Sequence, residues 1–228
     1  MLTAIALVPS APVIVPELAG GAAGELTDLR AAVAAAVEPL PDRWIAIGVG
    51  ANDEVLTPPR TGTFAGYGAD VPVTLSADAS AAPEPMPLCA LIAGWVRGAF
   101  AAHAAAEVRV FAAGHDADAA VARGRDLRAL IEDAADPIGV LVVADGCHTL
   151  TPSAPGGHDP ASVPVQATLD DALATGDAAA LTRLPNSVVG RVAYQVLAGL
   201  TEPRPADARQ LYRDAPYGVG YFAGRWTP

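Results

Sequence analysis

The sequence predicts an α/β protein in which one sheet is covered by helices on both faces. Short apolar segments that suit β-strands alternate with longer segments of helical periodicity along the 228 residues. The run IGVLVVA at 138–144 shows no polar alternation, which is typical of a central strand covered on both faces. No internal repeat or linker divides the chain, so we expect a single domain over residues 1–228.

The first half of the chain contains three strand candidates and two helices. The apolar segment 2–8 ends at a proline, and 44–48 is a second apolar run that precedes a polar, proline-containing loop. The segment 71–75 is a third strand candidate. Helix 25–37 places on one side Leu26, Leu29, Val33 and Val37. Helix 88–102 carries a core-facing stripe of Leu88, Leu91, Ile92, Trp95, Val96, Ala99 and Phe100.

The second half continues the alternation around one long loop. In order, its predicted elements are a strand at 108–112, a helix at 119–135, a strand at 138–144, helices at 165–174, 177–183 and 187–200, and a strand at 217–223. The inward residues of helix 119–135 are Val121, Leu127, Leu130, Ile131 and Ala134. The stretch 145–164 is rich in proline and glycine, which predicts a loop, and 202–207 is a proline-containing turn.

Charge and composition exclude several classes of partner. The net charge is −11, and the 14 basic residues are all arginines scattered along the chain, so no positive face is available for a nucleic-acid backbone. Proline, glycine or charge interrupts every apolar run before it reaches membrane-spanning length, and the first residues lack the basic region of a signal peptide. Cys89 and Cys147 are too few for a disulfide framework. We therefore expect a cytoplasmic protein that binds neither nucleic acid nor membrane.

The predicted topology brings several polar loops together. In open α/β sheets, ligands bind outside the carboxyl ends of the strands. The loops that follow strands 2–8, 44–48, 108–112 and 138–144 should therefore lie side by side. The polar residues that these loops carry are Ser10, Asn52, Asp53, Glu54, His115, Asp116, Asp145 and His148.

The histidines of these loops allow more than one interpretation. His148 can act as a general acid or base near neutral pH, with Asp145 to orient it, or it can be a loop histidine bonded to a nearby carbonyl. Asp145, His148, His158 and Asp159 are also conceivable metal ligands, but their spacing matches no defined site and favours a polar loop. His115 and the aspartate after it either line a pocket together or form the turn at the start of a helix.

Four segments of the chain carry distinctive patterns of proline, glycine and aromatic residues. They read PSAPVIVPE at 9–17, GTFAGYGA at 62–69, ADGCHTLTPSAPGGHDP at 144–160 and YGVGY at 217–221. In order and spacing they resemble the catalytic B-subunit family of class III extradiol dioxygenases, with its Memo-like relatives. The corresponding family patterns are P-H-P-P-x-x-x-P-E, G-x-F-x-x-F-G-A, G-D-L-S-H-R-L-T-P-x-A-P-x-G-Y-D-P and F-G-V-G-Y. The resemblance extends over almost the whole chain.

The resemblance implies a fold and a chemistry. The implied fold is a three-layer αβα sandwich around a mixed, mostly parallel sheet, often in an oligomer. Active members of the family hold Fe(II) with two histidines and one glutamate, and a further histidine acts as acid and base on a catechol. His148 matches that further histidine, and Asp145 matches the aspartate of the same motif.

The three positions of the family's iron ligands carry other residues in this chain. Ser10 stands at the first, and the loop GVGANDE, where the second is expected, has no histidine. The helix around 187–200, where the glutamate is expected, has Tyr194 or Gln195 instead. We therefore expect no Fe(II) and no other resident metal. The predicted site then consists of the catalytic residues His148 and Asp145 and the pocket residues Ser10, Asn52, His115 and His158.

Three functions follow as hypotheses. The favoured one is a relative without iron, whose pocket binds a small molecule or performs acid/base chemistry through His148. The second is an active, metal-dependent extradiol dioxygenase or oxidoreductase that holds Fe(II) or another divalent metal with displaced ligands, namely Asp53, Glu54, His115 and His148. The third is a non-enzymatic protein that forms homo-oligomers through its alanine-rich helices.

Overall fold

The computed structural model describes residues 1–228, which form nine strands and seven α-helices. The strands are β1 (Leu2–Val8), β2 (Arg43–Gly50), β3 (Glu54–Leu56), β4 (Thr61–Thr63), β5 (Pro72–Thr74), β6 (Ala105–Ala112), β7 (Ile138–Val143), β8 (Asp207–Asp214) and β9 (Tyr221–Thr227). The helices are α1 (Pro16–Ala19), α2 (Thr27–Val37), α3 (Leu88–Phe100), α4 (Ala117–Glu132), α5 (Ser162–Thr175), α6 (Ala178–Leu181) and α7 (Arg191–Leu200).

One mixed sheet of seven strands forms the middle layer, in the order β3-β6-β2-β7-β1-β9-β8. The four central strands β6, β2, β7 and β1 are parallel to one another, and β3, β9 and β8 add antiparallel partners at the two sides. The carboxyl ends of β6, β2, β7 and β1 therefore meet along one edge of the sheet. The separate pair β4-β5 lies outside this sheet.

The sheet separates two apolar clusters, because successive side chains of a strand point to opposite faces. On β7, Leu141 and Val143 join the cluster formed with α2 and α3. Val140 and Val142 join the cluster formed with α4, α5 and α7. All six residues of β7 are buried, so both faces of this strand are covered, as its continuous apolar sequence predicts. The three-layer αβα sandwich around a mostly parallel sheet is thus confirmed.

Helices α4 and α7 pack against each other with a glycine from each at the contact. A Cβ atom at Gly124 would lie 2.1 Å from the carbonyl oxygen of Val196. A Cβ atom at Gly199 would lie 2.0 Å from the carbonyl oxygen of Val121. The two backbones therefore touch directly at this point, which fixes the position of α7 above the sheet.

The C-terminal strands differ from the prediction. Residues 217–220 are not part of a strand because Gly218 has a φ of +71°, which belongs to a turn, and β9 begins at Tyr221. No strand is predicted where β8 lies, at the end of the predicted turn at 202–207. Its eight residues lie at the edge of the sheet, and none of them is buried, so it lacks the apolar pattern of the inner strands.

Several helix predictions also need correction. Leu130 was expected to face the core but is 43% exposed, and Ala99 and Phe100 at the end of α3 are exposed as well. The final helix begins at Arg191 rather than at residue 187, for a reason that belongs to the site described below. None of the helices combines the length and apolar character that a membrane crossing requires.

Candidate functional site

The carboxyl ends of the adjacent strands β1 and β7 form the centre of the candidate site. The chain leaving β1 continues to α2 on one face of the sheet, and the chain leaving β7 continues to α5 on the other face. Neighbouring strands whose continuations diverge in this way leave a crevice between their ends, where α/β proteins bind ligands. Ser10, two residues after β1, and Asp145, two residues after β7, meet at this point, as their places after the two strands predict.

Asp145 is held in this crevice by the backbone of the loop after β1. The amide of Ser10 donates a hydrogen bond of 2.8 Å to Oδ1 of Asp145, and Oδ2 has no hydrogen-bond partner in the protein. The residue is half-buried. Burial raises the pKa of Asp145 to about 7, and the bond from Ser10 offsets only part of this effect. The carboxyl group therefore exists in both protonation states near neutral pH.

Backbone hydrogen bonds fix the loop that carries Asp145. The amide of Gly190 donates a hydrogen bond of 2.8 Å to the carbonyl oxygen of Asp145. The amide of Gly146 donates one of 2.9 Å to the carbonyl oxygen of Gly220. Val188 and Cys147 form an isolated β-bridge. Because residues 188–190 are engaged with this loop, they form a bridge and a turn rather than a helix, and α7 begins only at Arg191.

A buried glutamine continues this network on the other side of the loop. The amide of Cys147 donates to Oε1 of Gln166 at 2.8 Å, and Nε2 of Gln166 donates to Oδ1 of Asp170 at 2.8 Å. Burial raises the pKa of Asp170, and the bond from Gln166 counteracts this only in part. A Cβ atom at Gly220 would lie 2.2 Å from Gln166, so only glycine allows this approach. No sequence pattern singles out Gln166, because its contact with Cys147 joins a helix to the loop before it and forms only in the folded chain.

Two buried tyrosines lie near Asp145. The hydroxyl of Tyr194 donates to the carbonyl oxygen of Ala144 at 2.9 Å, at the end of β7. Burial, with a contribution from the negative charge of Asp145, raises the pKa of both Tyr194 and Tyr221. The hydroxyl of Tyr221 forms no hydrogen bond within the protein, although the residue is only 4% exposed. Both phenols therefore remain protonated and form a polar, uncharged boundary of the site.

Replacing Tyr194 with phenylalanine is expected to lower the free energy of unfolding by about 1–2 kcal/mol. The substitution leaves the buried carbonyl oxygen of Ala144 without its donor, and an unpaired buried polar group is destabilising. Urea denaturation at pH 7 measures the difference. Tyr67→Phe is the matched control because Tyr67 is 45% exposed and its hydroxyl has no partner. Equal stability of Tyr194→Phe and the wild type would contradict a structural role for this bond.

The structure places His148 and His158 at the surface. His148 is exposed, and its ring packs against Gly156, where a Cβ atom would lie 2.4 Å from the ring atom Cδ2. The side chain of His148 forms no hydrogen bond. Asp145 therefore does not orient His148, because its carboxyl group is bonded to Ser10 instead. His158 is exposed, as is Asn52 in the loop after β2.

His115 pairs with Asp53 at the ends of β6 and β2. Nε2 of His115 lies 2.7 Å from Oδ1 of Asp53, which also accepts a hydrogen bond of 2.8 Å from the amide of Ala112. Arg123 lies 3.6 Å from the other oxygen of Asp53. The bond from the Ala112 amide is the main cause that lowers the pKa of Asp53, and His115 and Arg123 act in the same direction. Asp53 is therefore ionised at neutral pH.

The side chains at the family's three ligand positions do not fit Fe(II). Ser10 offers a hydroxyl, and the loop after β2 offers the exposed Asn52. At the third position, the hydroxyl of Tyr194 is already bonded to Ala144, and the amide oxygen of Gln195 is bonded to Arg191. Nowhere do three or more His, Cys, Asp or Glu side chains cluster closely enough to hold a metal ion. The displaced ligands of the second hypothesis therefore do not assemble, and only Asp53 and His115 come together.

Comparison with known proteins supports the fold alone and gives no family and no activity. No family model matches the chain, and no curated protein matches it. The chain is similar in structure to an uncharacterized protein, JW3007, from Escherichia coli K12, with a TM-score of 0.58 at 10% sequence identity. The superposition covers 98% of this chain and 99% of that one, so the whole architecture is shared.

Proposed function

We propose that this chain is a relative of the class III extradiol dioxygenase B-subunit family that acts without iron. In this proposal, the crevice between β1 and β7 binds a small hydroxylated aromatic molecule, and Asp145 exchanges a proton with its hydroxyl group. The observation that carries the proposal is the carboxyl group of Asp145, which is half-buried, has one oxygen without a partner, and lies at the end of the central strand. The four motif-like segments and the three-layer fold support the family assignment.

The protonation behaviour of Asp145 suits it to this role. General acid/base catalysis is most efficient when the pKa of the catalytic group lies near the working pH. With a pKa of about 7, Asp145 can receive a proton from a bound hydroxyl or return it. Ser10 holds one carboxyl oxygen in place, so the other is left to face a ligand.

The tyrosines give the proposed pocket its selectivity. Tyr194 and Tyr221 stay protonated, so the boundary of the site carries no charge other than that of Asp145. A neutral aromatic diol can enter such a site more easily than an anion, because an anion would be repelled by the ionised carboxylate. His148, at the surface of the same loop, has a free side chain and serves as the second proton-transfer group in this proposal.

Isothermal titration with catechol and 4-methylcatechol, in buffer that contains EDTA, tests the proposal. Titrations at pH 7 in two buffers of different ionisation enthalpy measure the number of protons exchanged on binding. We expect the wild type to bind and to exchange protons. Asp145→Asn should remove the proton exchange, and Asp145→Ala should weaken binding at least about tenfold, because the carboxyl group is the contact for the hydroxyl.

The control is Asp78→Asn, since Asp78 is exposed and its side chain forms no hydrogen bond. It should bind catechol with the affinity and proton exchange of the wild type. If neither diol binds to the wild type, or if Asp145→Asn exchanges as many protons as the wild type, the proposal is wrong.

A further inference from the structure

A second cleft opens on the same edge of the sheet, beside the site of Asp145. It has a volume of about 510 Å³ and lies between residues 113–117, after β6, and residues 186–192, which lead into α7. Residue Gly190 separates the two sites, because its amide is bonded to Asp145 while its neighbour Arg191 lines the cleft. The proposed function makes no use of this space.

Arg191 is a fixed cation without a counter-ion. Its Nη1 donates to Oε1 of Gln195 at 2.8 Å, and its Nη2 donates to the carbonyl oxygens of Ala113 and His115 at 3.0 and 2.8 Å. All three acceptors are neutral, and no carboxylate lies within ion-pair distance of Arg191. A guanidinium group has five N–H donors, so two remain for a ligand. On a chain of net charge −11, a half-buried arginine without a carboxylate partner is available for an external anion.

One other charged residue that lines the cleft, Asp116, bonds the start of α4 and forms no ion pair with Arg191. Asp116 is the acidic residue in the lining, and its Oδ1 accepts a hydrogen bond of 2.8 Å from the amide of Ala119 at the start of α4. That carboxylate is therefore used to cap α4. Helix α7 begins at Arg191 without any side-chain cap, so the positive end of its dipole adds to the charge of the arginine.

His115 supplies a hydrogen-bond acceptor to the same cleft. Because Asp53 is ionised and can only accept, Nε2 of His115 must carry the proton in their 2.7 Å hydrogen bond. In the neutral imidazole, Nδ1 is then an acceptor, and it has no partner within the protein. The side chain of His115 is 20% exposed, so a ligand in the cleft can reach it.

We propose that this cleft binds a small molecule through an oxyanionic group, either a carboxylate or a phosphate, which is held by Arg191. His115 accepts a hydrogen bond from a hydroxyl group of the same molecule. This site is separate from that of Asp145, so either proposal can fail without the other.

Nuclear magnetic resonance of the histidine rings tests the proposal, because the chain has only four histidines. The Cε1–H signals are recorded at constant pH during titration with inorganic phosphate and, separately, with acetate, and sodium chloride corrects for ionic strength. The signal of His115 is assigned by its loss in His115→Gln. We expect one of the two anions to shift this signal saturably, which identifies the chemistry of the ligand group. If neither anion does so, or if all four signals shift together, the proposal is wrong.

Two variants of the cleft and one control separate specific binding from general charge effects. Arg191→Gln should weaken anion binding at least about tenfold. Asp116→Asn, which keeps a good helix cap, should strengthen it about two- to threefold because it removes the carboxylate from the cleft. Arg204→Gln is the control, since Arg204 is exposed and forms no ion pair, and it should leave the affinity unchanged. If Arg204→Gln weakens binding as much as Arg191→Gln, or if Asp116→Asn has no effect, the anion does not bind in this cleft.

Discussion

Asp145→Asn is expected to raise the free energy of unfolding at pH 8 by about 1–3 kcal/mol. Burial raises the pKa of Asp145 from its ordinary value of 3.8 to about 7, which means that the fold disfavours the ionised carboxylate. Asparagine resembles the protonated carboxyl group and can still accept the hydrogen bond from Ser10. The variant therefore removes a destabilising charge and keeps the contact. The expected gain is smaller than the rise in the pKa alone implies, because the residue is half-buried and solvent screens its charge in part.

The sign of this effect determines how it depends on pH. Because the pKa is higher in the folded state than in the unfolded state, the folded state binds more protons between about pH 4 and pH 7. The contribution of Asp145 to stability is therefore fully present below pH 4 and is lost as the pH rises to 7. Asparagine does not titrate, so the variant should match the wild type near pH 4 and exceed it increasingly up to pH 7.

Urea denaturation at pH 5 and pH 8 measures this difference. Asp78→Asn, the exposed control, should change the stability by less than about 0.5 kcal/mol at both values. A constant difference between Asp145→Asn and the wild type across this range would contradict the raised pKa. It would also remove the acid/base role proposed for this residue.

Gly124→Ala is expected to lower the free energy of unfolding by about 3 kcal/mol or more. The new Cβ atom would lie 2.1 Å from the carbonyl oxygen of Val196, which is far inside contact distance. The clashing atom belongs to a helix backbone, so it cannot move aside as the end of a flexible side chain does. Helices α4 and α7 would have to separate, which would open the apolar cluster beneath them. Gly199→Ala, at 2.0 Å from Val121, should behave in the same way.

Gly98→Ala provides the matched control for these two variants. Gly98 lies in helix α3, it is exposed, and nothing lies within 4 Å of a Cβ atom placed there. The substitution should leave the stability unchanged or raise it by about 0.5–1 kcal/mol, because alanine favours a helix more than glycine does. Thermal and urea denaturation of the three variants test the contact. If Gly124→Ala is as stable as Gly98→Ala, the two helix backbones do not touch.

The positions of Ser10 and Asp145 could be predicted because they depend on features that a sequence displays. The apolar run before Asp145 is recognisable as a central strand, and both residues directly follow strands. The carboxyl ends of parallel strands meet at one edge of a sheet, so the two residues were expected together. In the structure, the amide of Ser10 donates a hydrogen bond to Asp145, so the two residues are in direct contact.

Other features of the site could not be predicted because they depend on contacts between distant segments. Gln166 lies on a helix, and only the folded loop brings it to the amide of Cys147. Arg191 looks like an ordinary helix residue, and its lack of a counter-ion is visible only in three dimensions. His148 carries the strongest motif, yet its ring is exposed and forms no hydrogen bond with the carboxyl group of Asp145, which is bonded to Ser10. Strand β8 has an edge position, which removes the apolar pattern that identifies inner strands.

The place of β1 within the sheet has a consequence for the kinetics of folding. This strand is the first of the chain, and it lies between β7 and β9, so that Leu7 pairs with both Val142 and Gly224. Neither edge of β1 can be satisfied by a neighbour in sequence, and long loops must close before either pairing forms. Folding should therefore be slow compared with that of a helical bundle. During that interval the apolar segment LTAIALV is exposed with both edges open, which makes it prone to intermolecular pairing.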